Sequence, residues 1–201
     1  MKEDILEQMT YDWLVSQPGI FAKLNIKFKP TADILGYNNS KHSVPSDIDI
    51  LAKNLIDPAA PILSVTCKSW QSGFNADYFS QNLISNRDKE IGGKPIWKHF
   101  RELVDNIWNL AFIKSIKNEV GEFQKLHYIL AITKFEGQSN AQHFVNNDSF
   151  LKIFKENGID VTFQILTVKE MADSILNRTN NTLEPTDFAR LIQVLKAGGV
   201  I

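Results

Sequence analysis

Two short apolar runs carry charge where a buried strand ordinarily carries none. The first is Ser46-Asp47-Ile48-Asp49-Ile50-Leu51. The second is Ile62-Leu63-Ser64-Val65-Thr66-Cys67-Lys68-Ser69-Trp70. Burying an ionised Asp or Lys without a partner costs several kcal/mol, so such residues inside strands call for a reason. Carboxylates on one strand and a lysine on the next suit phosphodiester chemistry. A hard cation such as Mg²⁺ takes one or two carboxylates together with water and substrate phosphate. A neighbouring ammonium can orient the attacking water and stabilise charge on the phosphate in the transition state.

Side chains two apart in a strand share a face. Asp47 and Asp49 are therefore expected on one face, with Ile48 and Ile50 on the other. Thr66 and Lys68 share a face on the next strand, while Val65 and Cys67 point away. If the polar faces agree, Asp49, Thr66 and Lys68 gather at one sheet edge. Cys67 then reads as a small buried hydrophobe.

The periodicity supplies the elements that must position these groups. Ile5, Met9 and Trp13 predict a helix over 3–16, stopped by Pro18-Gly19. Alternation predicts a half-exposed strand over 20–29, and Pro, Asn, Ser and Gly make 30–46 a loop. Strands follow near 47–53 and 62–69, both central in a sheet. Residues 76–118 read as two helical parts broken by Gly92-Gly93 and Pro95. Further strands are expected at 126–133 and 160–168, and helices at 148–157, 169–177 and 185–196. Thr182 or Thr186 would cap the last helix. Adjacent strands followed by a helical crossover predict an α/β fold, with a mixed central sheet flanked by helices. The expectation is one domain over 1–201 with a helical insertion at about 76–118.

The bulk composition narrows the classes. The 201 residues are 43% apolar and 22% charged, with net charge -1, which suits a globular chain and gives no global case for a polyanion partner. Residues 61–118 nevertheless carry 8 Lys/Arg against 5 Asp/Glu, while both flanks are net acidic. One cysteine excludes an intramolecular disulfide and a cysteine-rich zinc site. The four histidines lack metal-ligand spacing. No apolar run is long enough to span a membrane. Met-Lys-Glu-Asp leads into an acidic amphipathic stretch and not a signal peptide, so a cytoplasmic location is expected.

With these residues in place, the chain resembles the PD-(D/E)xK nuclease superfamily, the restriction endonuclease-like fold. Ser46 to Ala52 looks like that family's acid-Ile-Asp-hydrophobic strand. Val65-Thr66-Cys67-Lys68-Ser69-Trp70-Gln71 looks like its catalytic-lysine strand, closest to Mrr-type endonucleases. The expected order α-β-β-β-α-β is the family core. The resemblance covers residues 1–70 by motif and reaches about 135 by element order. It implies Asp49 as the metal-binding aspartate, with Asp47 a rival, and Lys68 as the catalytic lysine. It further implies metal ligation by the Cys67 carbonyl and the side chain at 66, and an acid from the first helix, Glu7. Thr66 departs from the pattern, which places a carboxylate there; Glu7 or Gln71 would have to compensate.

The implied activity is Mg²⁺- or Mn²⁺-dependent hydrolysis of DNA phosphodiester bonds, in restriction or another defence or repair system. The alternative is a weakened or inactive module of the same fold that binds nucleic acid or a protein partner. A homodimer or a partner subunit would suit a chain this short. Trp70 and Gln71 are placed to line a substrate groove. Arg87, Lys89, Lys94, Lys98 and Arg101 flank the Gly92-Gly93 pair as candidate phosphate contacts. Plain structural readings stand beside these: a solvated edge pair for the aspartates, a snorkelling Lys68, and helix-dipole compensation for Glu7.

Overall fold

The computed structural model describes residues 4–178 and 183–201. Helix α1 (Ile5–Val15) starts on Asp4, whose carboxylate accepts the Leu6 N–H at 2.9 Å. Strand β1 (Ile20–Phe28), the single-turn α2 (Asn39–His42), β2 (Ser46–Asn54) and β3 (Ile62–Lys68) follow. Next come α3 (Ala76–Ser85), a hairpin of β4 (Glu90–Ile91) and β5 (Lys94–Pro95), and a 3₁₀ turn over Ile96–His99. The chain continues through α4 (Arg101–Val104), α5 (Asn106–Val120), β6 (Lys125–Ile132), α6 (Ala141–Val145) and α7 (Asp148–Glu156). It ends with β7 (Asp160–Thr167), α8 (Val168–Arg178) and α9 (Asp187–Ala197).

The fold is α/β. Five strands form one sheet in the order β1-β2-β3-β6-β7. The first two pairings are antiparallel and the last two parallel, so the sheet is mixed, and β2 and β3 lie inside it as expected. Helices cover both faces. On one, Ala22, Ile50, Val65, Cys67 and Ile129 pack with α1, α8 and α9. On the other, Ile26, Leu51, Ile62, Tyr128 and Leu130 pack with the elements between β3 and β7. Among the described residues, no helix is long and apolar enough to cross a membrane.

The expected second helical part is not continuous. Asp105 accepts the N–H groups of Ile107 and Trp108, which starts α5 afresh after α4. Gly92 and Gly93 both take positive φ and form a two-residue hairpin turn rather than a simple helix break. Helices α2 and α6 were not expected. Thr186 caps α9 through the Ala189 N–H; Thr182 lies outside the described residues.

One feature overturns the expected facing of the aspartate strand. Ala22 and Phe28 have the same parity on β1 yet pack into opposite layers, and so do Ile50 and Ile48 on β2. The side-chain phase therefore switches midway along this hairpin. Asn25 marks the switch with φ 57°, a left-handed conformation that Asn tolerates better than other side chains. Pairing flanks it at Leu24↔Ile50 and Ile26↔Ile48, which leaves Asp49 opposite the twist.

Candidate functional site

The phase switch opens a gap between β2 and β3. Their ladder runs Ala52↔Leu63, Leu51↔Ser64 and Ile50↔Val65, and goes no further. Asp49, 8% exposed, takes the place of the next rung: its Oδ2 accepts the Cys67 N–H at 2.6 Å. In an extended residue the N–H and C=O leave the strand on the same side. The Cys67 carbonyl therefore faces the same gap as the Asp49 carboxylate. The Cys67 thiol is turned the other way, into the α1 layer beside Thr10, where burial pushes its pKa up and keeps it protonated.

Helix α1 adds acids at the end of β3. Asp4 is tied to this end, because its Oδ2 accepts the Ser69 hydroxyl at 2.6 Å. One turn on, Glu7 has its pKa raised to about 7, first by burial and then by the negative charges of Asp49, Asp4 and Asp47, with Lys68 opposing. Asp49 is raised as well: burial leads, while Lys68 and the Cys67 N–H work against it. Glu7, Asp49 and Lys68 thus share one electrostatic neighbourhood that holds more negative charge than it compensates. Asp47 contributes to this field from outside, exposed and paired to Lys27 at 2.6 Å.

Thr66 and Lys68 point into the opposite layer from Cys67. The Lys68 ammonium lies 5.6 Å from the centre of the Phe100 ring. The Thr66 hydroxyl is engaged by the Tyr128 hydroxyl at 2.9 Å, and Tyr128 in turn donates to Glu102 Oε1 at 2.5 Å. Glu102 is 5% exposed, and burial raises its pKa; the Tyr128 hydrogen bond and Lys68 pull it down, and Asp49 pushes it up. A carboxylate is therefore present on the face where Thr66 lacks one, but it sits two side chains deeper. The sequence reading missed Glu102 and Asp4. The signal for Glu102 was an acid between Phe100 and Leu103, both of which are fully buried.

The basic segment divides. Arg101 donates to the Val44 carbonyl at 2.8 Å and lies 4.5 Å from the Trp108 ring centre, so it serves packing. Arg87 is paired with Asp105 at 3.8 Å. Lys98 sits over Trp97, and Lys89 lies 4.7 Å above the Tyr78 ring. Lys94 is exposed on the hairpin. Trp70 is half-buried and Gln71 exposed just beyond Lys68.

Among the described residues, no three His, Cys, Asp or Glu side chains are grouped to hold a metal. The donors present fit a sparser site of the Mg²⁺ kind, with one or two carboxylates, a backbone carbonyl, and the remaining positions left to water and substrate. Comparison with known proteins adds nothing to this geometry: no family model matches the chain, and neither a curated protein nor a solved structure does.

Proposed function

We propose that this protein is a metal-dependent DNA endonuclease with a restriction endonuclease-like core, acting in restriction or another defence or repair system. Asp49, Glu7 and the Cys67 carbonyl would hold Mg²⁺ or Mn²⁺, and that cation would supply charge neutralisation at the phosphate and an acidified water. Lys68 positions the water and the phosphate from the other side of the gap. Thr66 stays with Tyr128 and takes no part in ligation. The observation that carries this reading is the buried Asp49 carboxylate held in the gap by the Cys67 N–H, with its charge felt by Glu7 and opposed by Lys68. A carboxyl lifted to about 7, first by burial and then by the charges of neighbouring carboxylates, suits a site that takes a cation.

The test is cleavage of supercoiled plasmid with Mg²⁺ or Mn²⁺. Lys68→Ala and Asp49→Ala should each lower the rate by at least about a hundredfold, in line with loss of a metal ligand or a transition-state charge contact. Cleavage that persists equally in both variants removes the proposed site.

A second reading has one observation in its favour. The Thr66 hydroxyl is committed to Tyr128, and among the described residues no group of three His, Cys, Asp or Glu side chains is placed to hold a metal. On that reading the chain is a nuclease-fold module that binds nucleic acid or a partner protein, as a homodimer or a subunit, without cutting. Tight DNA binding with no cleavage in either metal would select it.

A further inference from the structure

Beside the proposed site lies a cavity of 670 Å³ between α3 and the β4–β5 hairpin, in the size range of small-molecule pockets. Its walls include Trp70, Tyr78, Phe79, Ile91 and His99. Trp70 follows Lys68 by two residues, so the cavity opens at the end of β3 where the lysine emerges.

The walls are flat, aromatic and fixed. Trp70 stacks on Phe79 with centroids 4.9 Å apart and planes at 21°, and Phe79 stacks on Phe74 at the same spacing. The His99 ring meets Trp70 edge-on at 5.7 Å. Trp70, Tyr78 and His99 are each only half-buried, so aromatic surface remains open to the cavity. The packing behind Trp70 pre-orders it, so a guest would not have to bear the cost of fixing that side chain.

The edges are polar and the surroundings cationic. Gln71 and Ser72 line the mouth. The His99 Nε2 lies 3.2 Å from the Ile91 carbonyl, which can only accept, so the ring proton sits on Nε2. Burial, with Lys68 and Lys94 adding, lowers the His99 pKa and keeps the ring neutral, which leaves Nδ1 with a lone pair. Lys89 stands over Tyr78. Lys68, Lys89 and Lys94 thus stand near this corner without lining the cavity, whose own charged lining residue is Glu136. Flat aromatic walls, a polar rim and lysines at one side match a nucleotide whose base has left its stack. A base paired within a duplex presents no free face to such walls.

We infer that the Trp70 cavity receives one unpaired nucleobase of a DNA strand whose adjacent phosphate lies at Lys68. The substrate class is thus DNA with a single-stranded, frayed or flipped nucleotide at the reaction site. The phosphate half of this statement rests on the function proposed above; the base half does not.

The experiment uses intrinsic tryptophan fluorescence and anisotropy in EDTA, where no cleavage occurs. The probes are a ten-nucleotide single strand, its blunt duplex, thymidine monophosphate and inorganic phosphate. The expected result is quenching by the single strand, with the duplex bound about tenfold more weakly or worse. Trp70→Phe should remove most of the quench while keeping the stack on Phe79. Ser72→Trp, at an exposed rim position, should fill the cavity and weaken single-strand binding about tenfold with an unchanged melting temperature. Equal binding of strand and duplex overturns the inference, as does unaltered binding by Ser72→Trp. Binding of thymidine monophosphate or phosphate without the strand overturns it too. Strand binding at Trp70 in a protein that cuts neither plasmid nor single-stranded DNA with Mg²⁺ or Mn²⁺ would sink the nuclease reading and leave the base pocket standing. Plasmid cleavage with no strand preference would do the reverse.

Discussion

Glu7 titrates where its charge can be useful, and its stability signature follows from that. Its carboxyl is raised from an ordinary 4.5 to about 7 by burial and by Asp49, Asp4 and Asp47. The folded chain therefore binds this proton more tightly than the unfolded chain. Its contribution to stability is complete below about pH 4.5 and is lost as pH rises through about 7. The loss should be about 1 kcal/mol, because Glu7 is only half-buried and water screens it. Glu7→Gln should abolish that slope in urea titrations at pH 5 and pH 8; an unchanged slope would place the raised group elsewhere. Thr66 gives a second test. A carboxylate there would be pressed against Tyr128 and the buried Glu102, so Thr66→Glu should destabilise by about 2–4 kcal/mol and should not strengthen metal binding. Glu102→Gln keeps an acceptor for Tyr128 and should cost less than about 1 kcal/mol, whereas Glu102→Ala should cost about 2–4. Asp49 and Lys68 were legible in the sequence because charge in an apolar run is expensive and therefore conspicuous. Glu102 was not, because it follows Arg101 in a charged segment and only the turn of α4 carries it into the core.

The β1–β2 hairpin makes the site by changing face. Period-two reasoning assumes an unbroken pleat, and it set Ile48 and Ile50 on one side of the sheet. Asn25, with φ 57°, breaks the pleat, sends Ile26 and Phe28 to the opposite layer, and leaves Asp49 free to replace a ladder rung. A run of alternating apolar residues reads the same whether or not one backbone dihedral inverts, so this part was closed to sequence reasoning. Asn25→Gly should leave stability within about 0.5 kcal/mol, since glycine adopts this conformation freely. Asn25→Ala should cost about 1–2 kcal/mol. Chemical denaturation measures both. If Asn25→Ala is silent, the twist is not held by that residue and the origin of the gap must be sought elsewhere in the hairpin.

Across the whole molecule, the succession of the five sheet strands and the mixed sheet with two helical layers followed from hydrophobic periodicity, because burial on both faces dictates it, while the short α2 and α6 did not. The interruptions in the 76–118 stretch did not, since the Asp105 cap and the Gly92-Gly93 hairpin turn depend on how that stretch folds back. Those interruptions place Lys89 over Tyr78 and Lys94 where its charge reaches His99, while Arg87 and Arg101 are drawn into ion pairing and packing. If the proposed DNA binding holds, a Lys89→Ala, Lys94→Ala double variant should therefore reduce the slope of log affinity against log salt by about 1.5–2, and an unchanged slope would remove both from the proposed DNA surface. The most direct test of the central claim is Mn²⁺ binding followed by electron paramagnetic resonance at pH 8, which does not depend on trace nuclease contamination. The expected result is a site lost in Asp49→Asn, weakened about tenfold or more in Glu7→Gln and kept in Lys68→Ala. Wild-type affinity in Asp49→Asn would contradict it.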